Sequence, residues 1–234
     1  MLLLAIDTST STGGVALRED DRLVGSLSVS VDLTHSEGLT PALDALLHRC
    51  AKTPQDIEAV ACSVGPGSFT GLRVGVAAAQ GLASARRLPC VAVPTLDLMS
   101  WQAANAGVQI CPLIAARKGW VYARLFNWNN AEPQPQSDEL YTEIDELISL
   151  IQEKTLIYGP AAPSYREMLR DVLGEDFVEA PDAFNTPNPA LLAELGMKTI
   201  QNGGAVSAEA LLPHYIAVSQ AEVNWRKRRI TTPS

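Results

Sequence analysis

SVGPGSFTGLRVGVAAAQGLASARR, residues 63–87, carries an apolar run through a glycine-rich turn straight into a helical pattern. Gly65-Pro66-Gly67-Ser68-Phe69-Thr70-Gly71 puts free amides at a helix start, where the dipole favours an anion. The turn is not a Walker A loop, because no Gly-Lys-Ser/Thr follows. Nor is Ser68 a hydrolase elbow, since Pro66 stands where that motif needs glycine. Gly65, Gly67 and Ser68 are therefore candidates for anion or nucleotide contact and nothing more elaborate. The helix itself has a ladder of small residues at spacing four, Gly71, Gly75, Ala79 and Ala83. Val74, Ala78, Gly81 and Ala85 widen its apolar arc, and Arg73, Gln80 and Ser84 form a narrow polar face. Interior glycines cost about 1 kcal/mol each relative to alanine, so close packing must offset them. The neighbour is either the protein's own sheet or a second subunit. The second reading makes Gly71, Leu72, Gly75, Val76, Ala79 and Ala83 an interface, together with Leu39, Leu43 and Leu46 of a preceding helix.

Working outward, Leu2–Asp7, Val15–Arg18 and Leu23–Val31 read as three strands. Thr34-His35-Ser36-Glu37 has the form of a capping box and opens a helix whose stripe is Leu39, Ala42, Leu43, Leu46, Leu47 and Cys50. Pro41 allows a later start, with Thr40 leading and Pro41 in the first turn. A strand at 59–63, the helix to Arg86, a strand at 90–93 and a helix at 96–106 complete a β-β-β-α-β-α unit. The order then restarts. Strands at 109–115, 120–128 and 139–142, a helix at 143–152, a strand at 155–158, a helix at 165–173 and a strand near Phe177 repeat it, with a Pro-rich loop after Trp128. A last helix is expected at 190–201. The expected class is α/β, two duplicated lobes, each a mixed sheet with flanking helices. This is the plan of the ribonuclease-H-like, actin-like proteins. The expected divisions are 1–105, 106–218 and a basic tail, 219–234.

In actin-like proteins nucleotide phosphates lie between two turns. The first turn here, Asp7-Thr8-Ser9, has an acid and hydroxyls suited to a metal-bound phosphate, although such an aspartate commonly just braces its own turn. The second, Ala115-Ala116-Arg117-Lys118-Gly119, has no carboxylate. His35, His48 and His214 lack zinc-ligand spacing, so no metal site is expected. Cys50, Cys62, Cys90 and Cys111 form no C-x-x-C pair and read as buried, reduced thiols of a cytoplasmic protein. With 26 acidic against 18 basic residues, the net charge of −8 opposes direct nucleic-acid binding. Arg226, Lys227, Arg228 and Arg229 form the one dense basic cluster, a solvated tail or a contact for RNA. No stretch approaches the roughly 20 apolar residues of a membrane span.

LLLAIDTST at the start, His35-Ser36-Glu37 with Leu39-Thr40-Pro41, and GPGSFTGLRVG at 65–75 together resemble the bacterial TsaB (YeaZ) family. The likeness continues through ARKGWVY at 116–122 and Pro213-His214-Tyr215. It implies a non-catalytic subunit of the machinery that places threonylcarbamoyl on adenosine 37 of tRNA. The implied partners are a TsaD-like catalytic subunit, docked through the two helices or replaced there by a second copy, and a TsaE-like ATPase. It implies tRNA contact only through the complex, no cofactor of the chain's own, and ATP or ADP at most at the complex junction. Ala115 departs from the family, which usually has aspartate there. The rival expectations are a small actin-fold kinase or ATPase that uses Asp7, and a peptidase, against which the missing histidine pair speaks.

Overall fold

The computed structural model describes residues 1–30 and 35–217. Strands β1 (Leu2–Asp7), β2 (Thr12–Glu19), β3 (Arg22–Ser30), β4 (Ala59–Gly65) and β5 (Cys90–Pro94) form one sheet in the order β3-β2-β1-β4-β5. The first three strands are antiparallel, and β1, β4 and β5 run parallel. A second sheet repeats the order with β10 (Leu140–Glu143), β7 (Trp120–Ala123), β6 (Gln109–Ala115), β11 (Thr155–Tyr158) and β12 (Phe177–Glu179). The duplication therefore extends to strand order and direction, which makes β6 the counterpart of β1.

Alternation along the strands sorts side chains to two faces of each sheet. In the first sheet Leu2, Leu4, Ile6, Val15, Leu17, Val60 and Cys62 meet helices α1 (His35–Arg49) and α2 (Phe69–Arg86). Leu3, Ala5, Ala16, Ala61 and Val91 meet α6 (Pro189–Gln201) on the other face. The second sheet packs one face on α4 (Ile144–Leu150) and α5 (Ala162–Leu173). Its other face takes Leu96 and Met99 from α3 (Thr95–Ser100), while Leu98 of α3 enters the first lobe. Six residues thus tie the two lobes together.

Three expectations change. Residues 189–215 do not stay with the second lobe: α6 covers the first sheet, and the segment after it straps across that lobe. Cys90 and Val206 form an antiparallel bridge, Gln80 Nε2 donates to the Leu211 carbonyl at 2.8 Å, and the His214 amide donates to the Val64 carbonyl at 2.7 Å. The strand expected at 120–128 breaks at Arg124, and β8 (Phe126–Asn129) forms a hairpin with β9 (Glu132–Pro135) in the Pro-rich stretch. Asn130 and Ala131 turn it with φ of 51° and 62°, the left-handed pair that a two-residue hairpin needs. Helix α3 is shorter than expected, ending at Ser100 in a 3-10 turn. Helix α1 starts at His35, where the capping-box reading put it rather than at Pro41, and runs through Pro41, which is exposed, so water can meet the carbonyl it leaves unpaired. Thr34, first residue of the expected capping box, and the tail 219–234 with Arg226, Lys227, Arg228 and Arg229 lie outside the described residues.

Candidate functional site

The turn after β1 and the turn after β4 are laced to each other. Asp7 is buried at the end of β1; it accepts from the Ser9 amide at 3.2 Å, from the Ser9 hydroxyl at 2.7 Å and from the Ser63 hydroxyl. Thr8 Oγ1 donates to the Gly71 carbonyl at 2.7 Å, and the Ser68 amide donates to the Ser9 carbonyl at 2.8 Å. Ser68 also caps α2, its hydroxyl accepting from the Gly71 amide. A Cβ at residue 67 would collide with the Ser9 carbonyl, and one at Gly65, whose φ is +119°, would meet the His214 carbonyl. Asp7, Thr8, Ser9, Gly65, Gly67 and Ser68 are therefore brought together as expected, but the Asp7 carboxylate and the Thr8, Ser9 and Ser68 hydroxyls are engaged within these turns and with Ser63 and Gly71. The pattern is a brace, and an anion at this turn would have to displace it.

The small-residue ladder faces inward. Gly71, Leu72, Gly75, Val76, Ala79 and Ala83 are all buried in this chain, and a Cβ at Gly75 would strike Thr8 Oγ1. Leu39 and Leu46 are buried in the same core, and Leu43 packs partly against it. The expectation that these nine residues form a surface for another subunit is corrected: they are what lets α1 and α2 sit close on their own sheet. What α2 offers outward is the other arc, Val74, Ala77, Ala78, Gly81 and Ala85, with only Val74 half-covered. A Cβ on Gly81 would meet nothing within 4 Å. Beside it, α1 exposes Pro41 and Ala45.

The second lobe adds no matching acid. Ala115 ends β6 as Asp7 ends β1, and it is exposed. Among the described residues no group of three or more His, Cys, Asp and Glu is placed to hold a metal ion. His48 is exposed, while His214 Nε2 lies 2.5 Å from Glu139 Oε2. The four cysteines are unpaired thiols. Burial pushes the Cys62 and Cys111 thiols up, the latter to about 12, so neither is a nucleophile at neutral pH.

Comparison with known proteins fixes what this arrangement belongs to. A family model described as TsaD, tRNA N6-adenosine threonylcarbamoyltransferase, matches residues 30–225. The tRNA threonylcarbamoyladenosine biosynthesis protein TsaB of Bacillus subtilis is 31% identical over 228 residues, 96% of this chain and 98% of that protein. The chain belongs to the TsaB family. The TsaB of Haemophilus influenzae is 27% identical over 97% of both chains. Among solved structures, YeaZ from Pseudomonas aeruginosa superposes with a TM-score of 0.77 at 26% identity, covering 92% of this chain and all of that one. Component A of the (R)-2-hydroxyglutaryl-CoA dehydratase of Acidaminococcus fermentans, at 11% identity and a TM-score of 0.51, shares the fold alone.

TsaB membership makes this a protein of tRNA threonylcarbamoyladenosine biosynthesis with the actin-like, ribonuclease-H-like fold. It also draws attention to residues that the motif reading passed over. In the TsaB-like string ARKGWVY, the Arg117 guanidinium lies 4.0 Å from the Trp120 ring centroid, and Tyr141 stacks on Trp120 at 4.6 Å. The available signal was the alternation of Trp120 and Tyr122, which puts both rings on one face of a strand. On the first lobe Phe69 and Tyr215 of the strap stack at 5.0 Å under Arg73. No helix among the described residues is long and apolar enough to cross a membrane.

Proposed function

We propose that this chain is a non-catalytic subunit that docks a TsaD-like threonylcarbamoyltransferase through the outward faces of α1 and α2. The observation that carries this reading is Gly81. The protein tolerates the helix penalty of Gly75 because Thr8 occupies the space of its Cβ. At Gly81 no internal group does so, yet the surrounding surface, Ala77, Ala78 and Ala85, is equally small. A helix flank stripped to alanine and glycine lets another helix approach its main chain closely, and nothing inside this chain uses that approach. The match of one sequence both to TsaB relatives and to a transferase model supports a partner built on the same plan. Two copies of this chain pair through the same faces when that partner is absent, and a TsaE-like ATPase joins the assembly. Nucleotide, where bound, sits at the junction of the complex rather than in the braced Asp7 turn.

Ala78→Arg and Gly81→Arg test the reading, since both sites are exposed and the variants should fold. Each should reduce co-purification with the TsaD-like subunit at least tenfold, with unchanged circular dichroism. Undiminished complex formation would exclude this face. Titration of the isolated chain with Mg-ATP addresses the kinase reading, and micromolar binding with turnover would restore it.

A further inference from the structure

The aromatic cluster on β7 and β10 is used by neither the helix faces nor the braced turns. Tyr141 pairs with Tyr122 in register, and three rings follow one another: Trp120 to Tyr141 at 4.6 Å and 40°, Tyr141 to Tyr122 at 5.4 Å and 32°. Tyr122 leans on the interior cluster containing Leu96 and Met99, whereas Trp120 stands at the start of β7 and Tyr141 on the edge strand β10. All three rings stay partly open to solvent. Arg117 lies over this ladder, 4.0 Å from Trp120 and 5.9 Å from Tyr141. Arg117 and its neighbour Lys118 are exposed. Neither makes an ion pair among the described residues, whereas Arg18, Lys52, Arg124 and Lys198 each hold a carboxylate.

Core packing accounts for Tyr122 but not for the rest. A tryptophan at the start of β7 and a tyrosine on the edge strand, both left half-open under a guanidinium, with two cations uncompensated in a chain of net charge −8, match a ligand that is both planar and anionic. Stacked aromatic rings accept any base face, and arginine adds cation–π attraction and meets phosphate. The second cluster borders the first. His214, adjacent to Tyr215, contacts Glu139, two residues before Tyr141, so Phe69, Tyr215 and Arg73 continue the aromatic track toward the first lobe.

We propose that Trp120, Tyr141 and Tyr122, with Arg117 and Lys118, form a stacking platform for unpaired bases of RNA. The choice of tRNA as that RNA rests on the proposed role in threonylcarbamoyladenosine synthesis. Direct contact by this surface departs from the expectation that the chain meets tRNA only through its partner. The platform belongs to the second lobe and the α1–α2 face to the first, so both can be engaged at once. Glu143, opposite Trp120 in register, and Glu139 place carboxylates on the same rim. They oppose phosphate and limit its contacts to Arg117 and Lys118, so binding is shared between stacking and these two cations and depends weakly on salt. Two phosphate contacts at about 0.7 each give a log–log slope near −1.4.

The test uses the full chain, alone and with the TsaD-like subunit, and a tRNA substituted with 4-thiouridine. Irradiation should crosslink RNA to the peptides containing Trp120 or Tyr141. The double variant Arg117→Ala/Lys118→Ala should bind the tRNA about tenfold more weakly while co-purifying with the subunit as the wild type does. Crosslinks confined to other segments, the basic tail included, or an unchanged affinity would overturn the platform. So would loss of subunit binding in the folded double variant, which would make this a protein surface. Failure of the wild type to co-purify with the subunit would instead refute the docking role, and crosslinking by the chain alone would still decide the platform.

Discussion

Thr8 and Gly75 fit together: the Thr8 hydroxyl, donating to the Gly71 carbonyl at 2.7 Å, occupies the space that a side chain at residue 75 would need. Gly75 and Gly81 of α2 therefore have opposite meanings. Gly75→Ala must move Thr8 or the helix and should cost about 1–3 kcal/mol, the usual penalty of overpacking. Gly81→Ala enters open space and should stabilise the monomer by about 0.5–1 kcal/mol. Urea unfolding of the two variants checks both signs. Equal effects would mean that the ladder and the outer arc have been assigned to the wrong sides.

The succession of strands and helices along both lobes was legible because alternation and short apolar runs mark strands whatever their partners, but which strands lie side by side was not. The ladder was legible too, but not its direction. A period of 100° per residue says that Gly71, Gly75, Ala79 and Ala83 share a face; whether that face meets strands or a stranger depends on Thr8, more than sixty positions away. The β8–β9 hairpin was hidden by Pro133 and Pro135, which read as loop although an edge strand accommodates proline. That α6 crosses back to the first sheet was hidden as well, since an amphipathic helix does not name the sheet it covers. The Arg117–Trp120–Tyr141 stack needed the register of β7 against β10, which no local pattern contains.

Tyr158 ties the lobes. Its ring is fully buried in the second sheet, and its hydroxyl donates to the Met99 carbonyl of α3 at 2.8 Å. Tyr158→Phe leaves the ring in place and the Met99 carbonyl still accepting from the Trp101 amide, so it removes one hydrogen bond between the elements and should cost about 0.5–1.5 kcal/mol. Thermal unfolding should show the loss; an unchanged Tm would mean that water replaces the hydroxyl.

Alkaline pH should weaken the fold through its thiols. Burial raises Cys111 from 9.0 to about 12, and it raises Cys62 as well. The folded state then holds protons that the unfolded chain releases above pH 9. This stability is complete below that pH and is lost as pH rises toward the folded value, at about 1.4 kcal/mol per pH unit for each thiol. Cys111→Ala should reduce the slope of unfolding free energy between pH 9 and 11, and an unaltered slope would assign the effect elsewhere.

Asp97 and Arg124 pair at 3.0 Å between the first turn of α3 and the break between β7 and β8. Burial nevertheless holds the Asp97 carboxyl above its ordinary range, outweighing the neighbouring guanidinium. The ion pair is thus a poor source of stability, but each partner makes the other tolerable. Asp97→Asn keeps an acceptor for Arg124 and removes the desolvated charge, so its cost at pH 7 should be small. Arg124→Met leaves the carboxylate without its cation and frees the Ser137 carbonyl that Arg124 Nε also engages at 3.1 Å, so its cost should be clearly larger. Its deficit should shrink as pH falls and Asp97 takes up a proton, because the raised folded pKa favours the protonated carboxyl. Paired Tm measurements at pH 5 and 7 read this directly. A deficit for Arg124→Met that does not change with pH would show that packing by the arginine stem, and not the charge, is what the second lobe requires there.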